Sequence, residues 1–268
     1  MERIGLIAGS GNFPLLFARE AKKKGAKVIA FAIKGLTSPN FGEFVDRIHW
    51  IDISKFKIQK FIVLLLAERI KKMIMVGKID KSLIFGKAKD NEDISSLLRD
   101  AKDNMDYSIL EEFTKRFNKI GIKVIDGLDY LRNLMPEKGV LTKRVPSKDE
   151  WEDIKFGLSL AREVARLDIG QTITVKNKAV ITVEAMEGTD EAIKRAGELV
   201  GDDFTVIKVA RPNQDMRWDV PLIGFETLET MIKSKARVLA IESGKMFFVE
   251  KAKVIREADL NEITIVVA

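Results

Sequence analysis

The sequence predicts a two-domain α/β protein whose first domain carries a parallel sheet, and three observations predict it. The chain opens with a strand–loop–helix–strand unit, the order that lays consecutive strands parallel. Prolines and a glycine then punctuate Pro136 to Pro146, where the domain junction is placed. Beyond them the rhythm changes to a hairpin followed by alternating helices and strands.

The elements follow in order. Arg3 to Ala8 is an apolar run of strand length. Gly9-Ser10-Gly11-Asn12 turns the chain, and Pro14 suits a first helical position, where an N–H would have no partner anyway. Leu15, Leu16, Ala18 and Ala21 line one side of a helix ending near Gly25, and Lys27 to Ile33 is the second strand. Val45 to Ile51 reads as a third strand, Phe56 to Ile70 as a helix, and Met73 to Val76 as a strand. Ile94 to Ile120 has helical period with a break near Asp103-Asn104, before a short strand at Val124-Ile125 and a helical turn from Leu128 to Leu134. Ser147 with Glu150 has the spacing of a capping box opening a helix through Leu167. Thr172 to Lys176 and Ala179 to Glu184 alternate around Asn177-Lys178 as a hairpin. A helix from Asp190 to Val200, a strand from Phe204 to Ala210 and an irregular loop from Arg211 to Gly224 come next. A helix near Thr227 to Lys233, strands at Val238 to Ile241 and Met246 to Val249, a helix around Ala252 to Ala258 and a strand at Ile263 to Val267 complete the chain. The expected domains are residues 1–136 and 147–268, with 137–146 as linker.

Composition narrows the chemistry. There is no cysteine, which removes disulfides, thiolate zinc sites and cysteine nucleophiles. His49 is the one histidine, so multi-histidine metal sites are excluded and any metal sits among oxygen ligands, as magnesium, manganese or calcium do. The N-terminus does not read as a signal peptide, and no run approaches the ~20 apolar residues of a membrane-spanning helix. The formal net charge of +6 reads either as a lysine-rich surface or as a preference for anionic partners. Basic residues are dispersed and the aromatic RNA-binding signature is missing, so nucleic acid is not expected.

Two features carry candidate chemistry. Gly9, Ser10, Gly11 and Asn12 stand between a strand and a helix, where backbone N–H groups and the positive helix end suit a phosphate; a tight structural turn is the other reading. Pro14 occupies the third glycine position of the dinucleotide fingerprint and Lys34 follows the second strand where an acid is usual, which disfavours NAD. The second feature is a set of polar connections: Asp168 to Gln171, Glu184 to Asp190, and Arg211 to Pro221. Asp215 and Asp219 are four apart with Arg217 between, a pattern suited to a magnesium-bound diphosphate or, equally, to surface ion pairs.

At these residues the sequence resembles a known family. Gly5-Leu6-Ile7-Ala8-Gly9-Ser10-Gly11-Asn12-Phe13-Pro14, Asp168-Ile169-Gly170-Gln171, Glu187-Gly188-Thr189-Asp190 and Gln214-Asp215-Met216-Arg217-Trp218-Asp219-Val220-Pro221-Leu222-Ile223-Gly224 are similar to the two-domain UDP-2,3-diacylglucosamine pyrophosphatases of lipid A biosynthesis, not the calcineurin-like type. The resemblance covers nearly the whole chain. It implies a Rossmann-like N-terminal domain with a parallel sheet and a distinct mixed α/β C-terminal domain. It further implies magnesium-dependent hydrolysis of the UDP-linked diacylated glucosamine lipid to UMP and 2,3-diacylglucosamine 1-phosphate, with manganese admissible. Action at the cytoplasmic face of the inner membrane without spanning it, and a homodimer, complete the implication. The expected catalytic residues are Asp215, Asp219, Arg217 and Gln214. Gly9, Ser10, Gly11, Asn12, Gln171, Thr189 and Arg211 are expected to bind substrate, and Asp215, Asp219, Asp190 and Glu187 to hold metal. Phe156, Leu160, Met216, Trp218 and Phe225 are candidates for acyl contacts, with core packing the alternative for each. The competing functions are a nicotinamide-dependent oxidoreductase, drawn from the glycine loop, and a non-catalytic nucleotide- or lipid-binding protein.

Overall fold

The structure is a computed structural model and describes residues 1–77, 91–100, 106–212, 214–217 and 220–268. It divides into two compact units: Met1–Arg132 grouped with Met216–Trp218, and Asn133–Asp215 continued by Asp219–Ala268.

The first unit carries β1 (Arg3–Ala8), α1 (Phe13–Lys23), β2 (Lys27–Ile33), β3 (Arg47–Ile51), α2 (Ile58–Ala67), β4 (Lys72–Val76), α3 (Glu92–Asp100), α4 (Asp106–Lys119), β5 (Lys123–Val124) and α5 (Leu128–Leu131). Its strands form one sheet in the order β3-β2-β1-β4-β5, every pairing parallel. The near-continuous burial of β1, β2 and β4 is what a sheet covered on both faces demands. One face meets Phe61 and Leu65 of α2 and Phe117 of α4. Helix α1 buries Phe13, Phe17, Ala18 and Ala21, while Leu15 and Leu16, expected on its inner side, are only half-buried. The expected break near Asp103-Asn104 lies outside the described residues.

The second unit carries β6 (Gly139–Val140), α6 (Lys148–Arg166), β7 (Thr172–Lys176), β8 (Ala179–Val183), α7 (Thr189–Val200), β9 (Thr205–Lys208), β10 (Leu222–Ile223), α8 (Phe225–Lys233), β11 (Val238–Ile241), β12 (Phe247–Phe248), α9 (Lys251–Leu260) and β13 (Thr264–Val267). Its main sheet runs β6-β13-β11-β9-β7-β8, parallel through β13, β11 and β9 and antiparallel at both ends. Alternation along the strands divides two cores. Val206, Leu239 and Ile265 face Ile193 of α7, Leu228 of α8 and Val254 of α9; Ile207, Val238 and Val266 face Ile154, Leu158 and Ala161 of α6. Helix α6 lies so close that a Cβ on Gly157 would meet Ile207 Cδ1 at 1.8 Å. Its capping box is complete, with Glu150 N donating to Ser147 Oγ (3.2 Å) and Ser147 N to Glu150 Oε2 (2.7 Å). Asn177 and Lys178 both take positive φ in the hairpin, as a two-residue primed turn requires, and Asp153 accepts from both their N–H groups (2.9 and 2.6 Å).

Residues 137–146, expected as a linker, supply β6 to the second sheet. Leu141 N donates to Ile265 O (2.9 Å), and Arg144 bonds Thr264 and Glu150. Among the described residues no helix is long and apolar enough to cross a membrane.

Candidate active site

In each unit the unusual residues gather where the parallel strands end, the edge at which open α/β sheets bind ligands.

In the first unit, Gly9 to Asn12 leaves β1, whose neighbours β2 and β4 lie on opposite sides of it. Gly9 N donates to Val76 O (2.8 Å), and Gly11 takes φ +88°. Asn12 makes no side-chain cap and the first turn of α1 holds no acid, so the positive end of the helix is not offset by its own sequence. Sequence reasoning missed Gly77. At φ +95°, a Cβ there would lie 2.7 Å from Ser10 O and 2.9 Å from Pro14 Cγ, so this glycine lets β4 hold the loop in place. Lys34 follows β2 in the structure as in the sequence, with its N–H on Ile51 O.

His49 is occupied elsewhere. Its Nε2 lies 2.8 Å from Glu68 Oε1, and Arg3 (2.9 Å) and Arg47 (2.7 Å) bond the same carboxylate. Glu68 is 3% exposed. Burial pushes its pKa up, but the bonds and charges of Arg47 and His49 outweigh that and hold it below the ordinary 4.5. Arg3 and Arg47 begin their strands, so this network belongs to the amino edge of the sheet, opposite the glycine loop.

In the second unit the strand register draws one row across the sheet: Gly139, Val267, Ile241, Lys208 and Thr172, with Glu184 N bonded to Thr172 O. Three ionisable side chains near this row, Glu184, Lys208 and Glu242, are each 7% exposed. Thr189, at the start of α7, joins them. Its hydroxyl donates to Glu184 Oε1 (3.0 Å) and accepts from Lys208 Nζ (3.1 Å). With that one proton spent, Thr172 Oγ1, 3.1 Å away, is the donor of their shared bond. Glu184 Oε2 accepts from Gln171 N (3.2 Å), and Gln171 O accepts from Val209 N (2.9 Å). Gly170 permits this, since a Cβ there would lie 2.0 Å from Glu184 O. Glu242 accepts from Ala210 N (3.3 Å) and Arg162 Nε (3.1 Å), with Lys245 at 3.3 Å.

The structure thus brings Gln171 and Thr189 together. Arg211 and Gln214 bond one another through Arg211 N to Gln214 Oε1 (3.1 Å), and Arg211 pairs with Asp168 at 3.4 Å. Buried atoms of this unit have no hydrogen-bond partner among the described residues: Gln171 Oε1, Asp190 Oδ1, Arg211 Nε and Gln214 Nε2. Glu187 is engaged at the surface. It accepts from Arg195 (2.7 Å) and Ala185 N (3.0 Å), and its own N–H with the Arg195 guanidinium holds its carboxyl below the ordinary range.

The Asp215 region differs from either regular geometry considered in the sequence. Residues 214–217 form no helix or strand and turn at Met216-Arg217, so side-chain alignment by regular spacing does not apply there. Asp215 and Arg217 are half-buried and engaged with other groups. Asp219 and Trp218 lie outside the described residues. Phe156 and Leu160 pack on the α6 side of the sheet, whereas Phe225 packs on the other under Lys253 (3.9 Å), so these three do not line one groove.

Among the described residues no group of three or more His, Cys, Asp or Glu is gathered as a metal cluster. The donors present nonetheless fit a hard cation in kind: they are oxygens, and Asp190 Oδ1 is a buried carboxylate oxygen with no donor on it among the described residues.

Lys208, Glu184 and Glu242 escaped sequence reasoning. Their signal was a charged residue within or just after an otherwise apolar strand, as in Val206-Ile207-Lys208-Val209.

A parallel sheet offering a glycine turn, and a mixed sheet with a buried lysine among hydroxyls and carboxylates at its carboxyl edge, define a two-domain α/β enzyme. Two family profiles match it: the LpxI N-terminal domain over residues 3–134 and the LpxI C-terminal domain over residues 137–266. The chain belongs to the LpxI family. The resemblance seen in the sequence motifs is thereby borne out. A relative from Caulobacter vibrioides, UDP-2,3-diacylglucosamine pyrophosphatase LpxI, is 27% identical over 273 residues, spanning 97% of this chain and 95% of the relative. Among solved structures, phosphoribosylglycinamide synthetase from Anaerococcus prevotii aligns with 76% of this chain and 44% of its own, at 15% identity and a TM-score of 0.26.

Proposed function

We propose that this chain hydrolyses the pyrophosphate of UDP-2,3-diacylglucosamine, giving UMP and 2,3-diacylglucosamine 1-phosphate in lipid A biosynthesis. Family membership across both halves and the name of the Caulobacter relative support the substrate. The structural observation that carries the reading is the carboxyl edge of the second sheet, where a buried ammonium bonds the Thr189 hydroxyl, itself bonded to Thr172, and buried polar atoms lack partners among the described residues. Buried polar atoms normally have partners, so a cluster without them suits a ligand.

In this reading residues 1–136 bind and residues 147–268 carry the chemistry, with 137–146 between them. Gly9, Ser10, Gly11 and Asn12 offer backbone N–H groups to a nucleotide phosphate. Lys208, fixed by Thr189, and Arg211 offset phosphate charge, and Arg217 does the same from its loop. Gln171, Gln214 and Thr189 orient phosphate oxygens and the attacking water. Asp190, Asp215 and Asp219 would hold magnesium, or manganese in its place; Glu187 would join them only on release from Arg195. The ion, when bound, neutralises phosphate charge and acidifies a water. The protein acts at the periphery of the inner membrane's cytoplasmic face, and a homodimer fits this reading.

The test is product analysis. Purified protein with UDP-2,3-diacylglucosamine and magnesium should release UMP and the sugar 1-phosphate, and excess chelator should stop it. Substrate recovered intact under every divalent metal tried would leave a binding protein instead.

A further inference from the structure

We infer that the outer face of α2 docks the protein on a bilayer surface bearing anionic headgroups. The inference deepens the proposed function, which has the chain acting on a lipid, by naming the face that meets the membrane.

Helix α2 reads Ile58-Gln59-Lys60-Phe61-Ile62-Val63-Leu64-Leu65-Leu66-Ala67, with only two polar residues. Its inner side is accounted for: Phe61 is 5% and Leu65 0% exposed, and Ile58 and Leu64 pack on the same core. The rest is not. Val63 is 65% exposed and Leu66 58%, and at three residues' separation they share the outward side with Gln59 and Ala67, both exposed. A single exposed aliphatic needs no explanation, but adjacent ones on an apolar helix form a patch with a cost in water.

Cations flank the patch along the chain. Residues 55–72 carry six, Lys55, Lys57, Lys60, Arg69, Lys71 and Lys72, all exposed, against one carboxylate. That carboxylate is Glu68, which is buried and taken by Arg3, Arg47 and His49. Flanking acids touch only the margins: Asp93 approaches Lys57 at 4.0 Å, Asp52 acts on Lys55 and Lys34, and Glu2 holds Lys72 at 2.7 Å. Lys60, one turn from Val63, and Arg69, just past the helix, flank the aliphatics from both ends.

An apolar strip edged by lysine and arginine matches a bilayer, where aliphatics enter the acyl boundary and cations meet headgroup phosphates. A second copy of the same face would set cation against cation, and a nucleic acid would leave Val63 and Leu66 in water. The patch therefore fits an acidic lipid surface better than either.

The test uses the full chain without substrate. Sedimentation with vesicles of phosphatidylcholine alone should show little binding. Vesicles mixed equally with phosphatidylglycerol should carry the protein down, less so as salt rises. The double variant Val63→Ser/Leu66→Ser, and separately Lys60→Glu, should each lower partitioning by about tenfold. Melting, and UMP release from detergent-dispersed substrate, should stay at wild-type level, since these side chains face solvent. Wild-type protein that ignores acidic vesicles overturns the inference, as do variants that bind equally well. A wild-type dimer that the double variant dissociates also overturns it, in favour of a second copy. Vesicle binding without hydrolysis in detergent leaves the docking face standing and removes the pyrophosphatase reading; hydrolysis without vesicle binding does the reverse.

Discussion

The two units end their parallel strands in opposite ways. At the carboxyl edge of the first sheet the distinctive groups are backbone: Gly77 lets β4 approach Ser10 and Pro14, and Gly11 turns the chain at positive φ, beside an uncapped helix start. At the carboxyl edge of the second sheet they are side chains, with Glu184, Lys208 and Glu242 buried among threonines and amides. The first unit also has a buried ionic cluster, around Glu68, but places it at the amino edge. Burying charge is costly unless every group is partnered. Both Glu68 oxygens are engaged, though Arg3 Nε beside them has no partner among the described residues. The second unit leaves carboxylate and amide oxygens, Asp190 Oδ1 and Gln171 Oε1, without partners among the described residues. The difference lies in the carboxylates: both oxygens of Glu68 are taken, whereas Asp190 keeps one buried oxygen without a partner among the described residues.

The sharpest way to break this contrast is to remove the buried ammonium. Lys208→Met keeps the length of the side chain and should lower the rate of UMP release by about 10²–10³-fold, the scale of losing one preorganised charge at a developing anion. Its fold should persist, since methionine keeps the apolar stem packed in the sheet, and a melting curve run alongside separates loss of rate from loss of structure.

Gly77→Ala attacks the first unit's edge through backbone. A positive φ and a Cβ 2.7 Å from Ser10 O should cost about 2–3 kcal/mol, read by denaturant unfolding. Substrate affinity should weaken in the protein that remains folded.

Glu68→Gln sharpens the structural side of the comparison. It should cost about 1–2 kcal/mol at neutral pH with turnover intact, toward the low end because Arg47 is 63% exposed and solvent screens the pair. Glu68's folded pKa lies below 4.5, so its contribution is fully present above that value and lost as pH falls through the depressed one. The melting gap between wild type and variant should therefore close as the pH falls from 4.5 through the depressed value. A gap that persists there would assign the effect to packing instead of charge.

Ser147→Ala, which deletes one bond of the α6 cap, is the smallest expected change, about 1 kcal/mol of stability without effect on kcat.

How much of this was legible beforehand follows from where each element gets its stability. β1, β2 and β11 begin and end at the residues their apolar runs mark, and the Asn177-Lys178 turn and the Ser147–Glu150 box are written locally. β6 was not legible, because a glycine and one valine become a strand only through pairing with β13. Likewise Glu187-Gly188-Thr189-Asp190 announced a polar turn, but not that Arg195 would take Glu187 while Asp190 kept an oxygen buried without a partner. Lys208 passed unremarked inside the strand read from Phe204 to Ala210; only the register with Thr172 shows it beside Thr189.

The most direct measurement is turnover of Asp190→Asn against magnesium concentration, with its melting curve alongside. The substitution keeps shape and removes the charge of the carboxylate whose Oδ1 is buried without a partner. UMP release lowered by about a hundredfold or more, or requiring far more magnesium, with melting close to wild type, is the predicted result. An unchanged rate with an unchanged magnesium dependence would contradict it.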